Sequence, residues 1–206
     1  MRSRLISITL VLALLLAVLT GCSNASNEKT AQSTSLHIVL AMPLATEQDA
    51  AVLKESPIAA APELDSEALP LDVAFIATGD TEKDPDGAMA GMTQVTTRMM
   101  TGEIELMICD SDNARRHGDN GETYVPLNEL FTEEEIVELG IVPATVAIVG
   151  DAGTITDDRS APCGVDLSGN ANLVKMLGIS DPGAYVIVDS PNLENAKIAI
   201  KALLTL

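Results

Sequence analysis

Apolar and polar positions follow one another along the chain in a pattern that predicts alternating strands and helices. Apolar runs of strand length are Leu36–Met42, Leu71–Thr78, Ile104–Cys109, Ala144–Val149, Gly164–Ser168 and Ala184–Val188. Apolar residues at helical spacing lie between these runs, most clearly in residues 85–100 and 192–204. The alternation predicts a single three-layer α/β domain with a mostly parallel sheet of about five strands.

The predicted domain is centred on a β-α-β unit between residues 71 and 130. Asp84 and Pro85 are typical of the cap and first position of a helix. Methionines recur along that helix at a spacing that predicts a face turned towards the core. The buried strand Ile104–Cys109 follows and leads directly into Asp110.

Acidic residues occur where the parallel strands are predicted to end. Ligands of open α/β sheets bind outside the carboxyl ends of the strands. Those ends carry Asp80, Asp110, Ser111 and Asp112, and Ser190 is predicted at the same edge. We therefore predict an acidic ligand-binding rim, suited to a small cationic solute, an amine or a basic peptide. Polar residues also end most strands for structural reasons alone, so that alternative stays open.

The first residues resemble the export signal of a bacterial lipoprotein. Arg2 and Arg4 precede an unbroken apolar run, Leu5–Leu19, which is short for a membrane span. The run ends in Leu19-Thr20-Gly21-Cys22, which resembles a lipobox, where the cysteine thiol receives a lipid and the chain is cut before it. An ordinary secretory signal followed by an incidental cysteine is the alternative.

This resemblance divides the chain into three parts. Residues 1–21 are expected to be a lipoprotein signal peptide, residues 22–35 a lipidated tether, and residues 36–206 the α/β domain. Two acyl chains on Cys22 would hold the protein stably in a membrane. The expected location is therefore the extracytoplasmic face of the cell membrane.

The chain is strongly acidic. It has 12 basic and 30 acidic residues, a formal net charge of −18, and loss of Arg2 and Arg4 with the signal peptide brings that charge near −20. Such a charge argues against nucleic acid and anionic lipid as direct partners, although an acidic surface also serves solubility alone. With two Phe, two Tyr and no Trp, the sequence gives little support to a carbohydrate site.

Two cysteines remain beyond the lipobox, Cys109 and Cys163. An exported domain permits a disulfide between them, which would stabilise the fold by about 4 kcal/mol in the chain-entropy model. Two buried free thiols are equally compatible with the sequence.

The sequence offers little support for catalysis. It lacks a nucleophile elbow, a zinc-protease motif and a phosphate-binding glycine loop. His37 lies in an apolar strand and His117 in a charged turn. The acids from Glu82 to Gly87 partly resemble a calcium loop, but Thr93 stands where the closing glutamate is needed. We expect a non-enzyme without a metal or other cofactor.

Two pairs of segments resemble extracellular solute-binding proteins of ABC importers. These are Gly102–Ile108 with Tyr124–Phe131, and Ala184–Val188 with the Asn195-Ala196-Lys197 helix that follows it. The resemblance implies a ligand-binding α/β lobe and an ABC permease as partner. The region where a second lobe would be inserted, residues 144–162, is too short to contain one, so a reduced, one-lobe relative is expected.

Two functions follow from the sequence. The first is a lipid-anchored, non-catalytic binding domain of the cell envelope, resembling one lobe of a solute-binding protein. The second is an envelope interaction or scaffold lipoprotein without a small-molecule site.

Overall fold

The computed structural model describes residues 35–43, 70–79, 82–150 and 153–205, together with the single positions 48, 51 and 55. The predicted signal peptide, nearly all of the tether, the lipidation site Cys22 and the candidate ligand residue Asp80 lie outside these ranges.

The described residues form eight strands and six α-helices. The strands are β1 Leu36–Met42, β2 Leu71–Ala77, β3 Leu106–Cys109, β4 Val142–Ala144, β5 Ala147–Val149, β6 Ile155–Arg159, β7 Gly164–Asp166 and β8 Gly183–Val186. The helices are α1 Pro85–Met100, α2 Ser111–His117, α3 Leu127–Leu130, α4 Glu133–Glu138, α5 Ala171–Leu177 and α6 Leu193–Leu204. A 3-10 turn over Asp119–Gly121 follows α2.

Six of the strands form one sheet in the order β2-β1-β3-β8-β7-β4. β1 pairs in parallel with β2 and β3, whereas the pairs β3-β8, β8-β7 and β7-β4 are antiparallel. The predicted α/β fold is confirmed, and the sheet is mixed. Four strands point one way, and β4 and β8 run against them.

The central strand β1 is buried on both faces, which explains why every residue of it except His37 is apolar. Leu36, Ile38 and Leu40 pack on one face in a core that includes α6. Val39 and Ala41 face a second core that includes Val95 of α1. Helices therefore cover the sheet from both sides.

Helix α1 lies very close to the end of β2. Its first turn is capped by Asp84, whose Oδ1 accepts a hydrogen bond from Gly87 N at 3.0 Å. A Cβ atom at Gly91 would lie 2.1 Å from the carbonyl oxygen of Ala77, so only glycine permits this approach. The contact brings Met92 over the carboxyl end of the sheet.

The segment after Gly140 differs from its prediction as one strand followed by a polar loop. β4 joins the main sheet, while β5 pairs with β6 in a separate two-stranded ribbon. Asn120 fixes the ribbon, since its Oδ1 accepts a hydrogen bond from Val149 N at 2.7 Å. β6 is largely exposed, and it therefore lacks the apolar alternation that would have predicted it.

Candidate functional site

The order of the strands creates a switch point between β1 and β3. In the strand order, β2 follows β1 in sequence and lies on one lateral side of it. The strands that follow β3 in sequence, β4, β7 and β8, lie on the opposite lateral side of β3. A crevice opens where neighbouring connections diverge in this way, and ligands of α/β proteins bind there.

A pocket of about 260 Å³ occupies this switch point. Its walls come from the ends of the three parallel strands and from helices α1 and α2. The lining residues are Pro43, Thr78, Gly79, Met92, Asp110, Asp112, Asn113 and Arg116. Two of the predicted ligand residues, Asp110 and Asp112, are therefore brought together in one cavity.

Asp110 is a buried carboxylate among the residues that line the site, only 9% exposed. It caps α2, because its Oδ1 accepts hydrogen bonds from Asn113 N at 2.7 Å and Asn113 Nδ2 at 3.0 Å. Burial raises the pKa of Asp110 above its ordinary value, and these hydrogen bonds offset only part of that effect. None of the ion pairs within the described residues involves Asp110.

Asn113 connects Asp110 to the end of β2. Its side chain is 4% exposed, and its Nδ2 also donates to Thr78 Oγ1 at 3.0 Å. The hydrogen bonds that the described chain gives to Asn113 use its two nitrogens, and Asn113 is one of the residues that line the pocket. Sequence reasoning missed Asn113, and it placed Thr78 at the end of a predicted strand without naming it as a ligand residue.

The rim has mixed charge rather than the acidic charge predicted from the sequence. Asp112 accepts hydrogen bonds from Arg115 Nη2 at 2.5 Å and Arg116 Nε at 2.7 Å. Burial acts to raise the pKa of Asp112, but the two arginines lower it below its ordinary value. Arg115 and Arg116 follow Asp112 by three and four positions, which is one helical turn. This spacing would have allowed the ion pairs to be predicted from the sequence.

Ser111 does not line the pocket. Its hydroxyl donates to Asp181 Oδ2, and its backbone N–H donates to the same oxygen at 3.2 Å. Ser111 therefore connects α2 to the loop before β8. Asp80, the remaining predicted residue, is outside the described ranges.

Ser190 lies at the opposite edge of the sheet from the pocket, contrary to the prediction. β8 is antiparallel to β3, so the end of β8 lies beside the start of β3. The structure thus corrects the assumption that every strand ends at the same edge.

A buried carboxylate, Glu105, organises that opposite edge. Its Oε2 accepts a hydrogen bond from His37 N at 2.9 Å, and its Oε1 accepts one from Asn192 Nδ2 at 2.7 Å. Burial raises the pKa of Glu105 despite these donors. Because Asn192 Nδ2 also donates to the carbonyl oxygen of Ser35 at 3.3 Å, the cluster connects β1, β3 and the start of α6.

Ser35, His37 and Asp72 are hydrogen-bonded in the order of a catalytic triad. Ser35 Oγ lies 3.0 Å from His37 Nε2, and His37 Nδ1 lies 3.2 Å from Asp72 Oδ2. The next two backbone N–H groups are already bonded, Leu36 N to Pro70 O and His37 N to Glu105. Neither can therefore stabilise an oxyanion, which acyl transfer requires. We interpret these contacts as closure of the sheet edge.

Cys109 and Cys163 are free, buried thiols. Cys109 is on β3 and Cys163 directly precedes β7, and β8 lies between these two strands. Two strand spacings of about 4.8 Å separate them, which exceeds the reach of a disulfide, roughly 7 Å between Cα atoms. The structure therefore favours the free-thiol alternative.

A larger groove, of about 770 Å³, follows the outer face of α1. It is lined by Asp86, Met89, Ala90, Thr93, Gln94, Thr97, Arg98 and Glu103. Because it is an open groove with a single helix as its main wall, it encloses a ligand less well than the switch-point pocket does.

No family model, curated protein or solved structure matches the chain. The likeness to solute-binding proteins therefore stays a prediction from the residues quoted above. Within the described ranges, no helix has both the length and the apolar character needed to cross a bilayer. The same part of the chain contains no group of three His, Cys, Asp or Glu side chains placed to hold a metal ion.

Proposed function

We propose that the protein is a lipid-anchored binding domain on the extracytoplasmic face of the cell membrane, similar to one lobe of a solute-binding protein. Its ligand would be a small solute with a cationic or amine group, bound in the switch-point pocket. One observation supports this most directly: Asp110 lines the pocket, is buried, and is in none of the ion pairs of the described chain.

A buried carboxylate is costly unless a cation or several hydrogen bonds compensate it. Capping of α2 explains why a polar acceptor follows β3, but an asparagine or serine would cap equally well without a charge. A bound cation would provide the missing compensation. The pocket volume is slightly below the roughly 300–1,000 Å³ typical of drug-sized ligands, which suits a smaller solute.

A melting screen of the full chain against small amines and cations tests this function. We expect at least one compound to raise Tm for the native chain and to lose that effect in Asp110→Asn combined with Asp112→Asn. Asp157→Asn, an exposed change on β6, is the matched control and should keep the full shift. A shift that survives the double substitution would remove the site.

The membrane anchor is tested separately. The full chain, made in a bacterium that matures lipoproteins, should incorporate labelled palmitate and sediment with membranes. Cys22→Ser should lose both the label and the sedimentation, because the proposed lipid is attached to that thiol. Equal labelling of the two chains would contradict the anchor.

An interaction lipoprotein is the second candidate, and two strongly exposed valines favour it. Val137 is 81% exposed at the end of α4, and Val142 is 54% exposed on the edge strand β4. Exposed apolar patches mark protein contacts. If this function is correct, Val137→Asp with Val142→Asp should abolish capture of an envelope partner such as a permease, while Asp110→Asn should leave it unchanged.

A further inference from the structure

We infer that the outer face of α1 is a dimer interface, at which a second copy of this chain lies antiparallel to the first and its Arg98 pairs with Asp86. Nearly all of the residues on this face are exposed, and together they line the groove of about 770 Å³. The charges at the two ends of the groove are complementary to the same charges in reversed order, which makes another copy of the chain the matching occupant.

The middle of the face is largely apolar, although its sequence contains hydroxyls. Thr93 Oγ1 donates to Met89 O at 2.8 Å, and Thr97 Oγ1 donates to Thr93 O at 2.8 Å. Both hydroxyls are therefore satisfied within the helix and need no partner from outside it. Ala90 adds only a methyl group, and the Met89 side chain is 66% exposed. Short side chains let a second helix approach, and methionine adapts its shape to the surface that it contacts.

Charged side chains stand towards the two ends of the groove. Asp86 lies in the first turn of α1 and Arg98 in its last turn. Both line the groove, and neither takes part in an ion pair within the described residues. Their positions differ by twelve, which is about 18 Å along a helix. The two groups are therefore too far apart to pair within one copy.

An antiparallel pairing of two copies brings these opposite charges together. In a twofold dimer every contact occurs twice, because both chains use the same face. With the axis near Thr93, about midway between the charges, Asp86 of each copy lies beside Arg98 of the other. A parallel pairing would instead place like charges beside each other, which is repulsive.

The contact is of a size that suits a weak dimer. α1 has 16 residues and is about 24 Å long, so this helix alone buries less than the roughly 800 Å² per partner of a standard interface. The net charge of −18 also opposes association at long range, and salt screens that repulsion. We therefore expect the dimer at high protein concentration and physiological ionic strength.

Sedimentation velocity of the full chain tests the interface, at about 100 μM protein and about 0.15 M salt, where the Debye length is about 8 Å. A non-ionic detergent covers the apolar run Leu5–Leu19. We expect the native chain to dimerise. Asp86→Arg and Arg98→Asp should each weaken the dimer at least tenfold, because each puts like charges together at two places. Asp157→Arg is the control, since it changes the net charge as Asp86→Arg does but lies exposed on β6, and it should dimerise as the native chain does.

A mixture of the two single variants separates pairing from the stability of the helix. An acid in the first turn and a base in the last turn also favour the helix dipole, so each reversal disfavours α1 itself. Equal amounts of the Asp86→Arg and Arg98→Asp chains should nevertheless form a mixed dimer, because the two arginines of one chain then face the two aspartates of the other. A role in helix stability alone predicts no recovery on mixing.

Three results would overturn the interface. The first is a native chain that stays monomeric under these conditions. The second is a single variant that dimerises as tightly as the native chain, which would mean that association uses another surface. The third is a mixture of folded variants that stays monomeric. Circular dichroism of each variant confirms that a lost dimer is not lost folding.

Discussion

Two buried carboxylates at opposite edges of the sheet serve different purposes. Glu105 accepts hydrogen bonds from a backbone N–H and an amide side chain, and its neighbours close that edge of the fold. Asp110 accepts hydrogen bonds from Asn113 alone and lines an open pocket. The same chemical group is therefore structural where donors from two distant segments surround it, and a candidate for binding where space remains beside it.

We expect Glu105→Gln to destabilise the fold by about 1–3 kcal/mol. The amide avoids burial of a charge, but it replaces one acceptor oxygen with a donor. Either His37 N or Asn192 Nδ2 would then lose its partner. Urea unfolding at neutral pH measures the change.

The matched control is Glu103→Gln, an exposed change two residues earlier. Its free energy of unfolding should lie within about 0.5 kcal/mol of the value for the native chain. Equal stabilities for the two variants would show that Glu105 does not hold the edge together.

The sequence predicted part of the site for a clear physical reason. Asp110 and Asp112 follow an apolar run, so the rule for strand ends identifies them directly. Glu105 lies inside that run, and its partners are His37 and Asn192, distant in sequence. Only the tertiary structure brings such residues together, and the sequence alone therefore could not predict the Glu105 cluster.

At the scale of elements, the position of α1 depends on one glycine. Alanine in a helix interior is normally favoured over glycine by about 0.5–1 kcal/mol. At Gly91 we expect glycine to be favoured over alanine instead, because the added Cβ would lie 2.1 Å from Ala77 O. We expect Gly91→Ala to destabilise the chain by about 1–3 kcal/mol in thermal or urea unfolding.

Gly169→Ala is the control for this change, since a Cβ there meets no atom within 4 Å. It should be neutral or slightly stabilising. A Gly91→Ala chain as stable as the control would mean that α1 and β2 are not in close contact.

Helix α4 is connected to α6 through Glu135. This residue completes a capping box with Thr132, and its carboxylate accepts hydrogen bonds from Lys197 Nζ at 2.7 Å and Lys201 Nζ at 3.0 Å. The hydrogen bonds from Lys197, Thr132 and Lys201 lower the pKa of Glu135 to about 2.

A lowered pKa of a carboxyl stabilises the fold above the pKa of the unfolded chain, near 4.5, and this stabilisation is lost as the pH falls towards about 2. We therefore expect the Glu135→Gln chain to have a lower Tm than the native chain at pH 6. The difference between the two Tm values should shrink as the pH falls towards about 2. Glu134→Gln on the same turn is the control. A Tm difference that does not depend on pH would contradict this assignment.

The sequence predicted the helices and strands most accurately where residues close together in the chain determine the local structure. Leu36–Met42 is apolar at every position except His37 and forms β1 with the predicted bounds. Thr132 and Glu135 form a capping box at the start of α4, a signal that the sequence carries by itself because it involves only neighbouring residues. The antiparallel half of the sheet was missed, since the direction of β8 depends on distant pairing that leaves no local pattern.

At the scale of the whole molecule, the fold is held by packing rather than by a covalent bridge. Both thiols are buried and free, so alkylation of the unfolded Cys22→Ser chain should add two groups with or without prior reduction. The intact native chain should react slowly. Intact-mass spectrometry measures both results, and an addition that requires reductant would show a disulfide.

The path of β1 determines how the protein can be attached to a surface. β1 begins beside the Glu105 cluster and ends next to Pro43 in the pocket wall, and seven residues at about 3.3 Å each extend over roughly 23 Å. A linker, bead or sensor chip joined directly at Ser35 therefore meets the domain at the end of β1 remote from the pocket. Immobilisation at that residue leaves the pocket residues at the other end of β1 accessible to solutes.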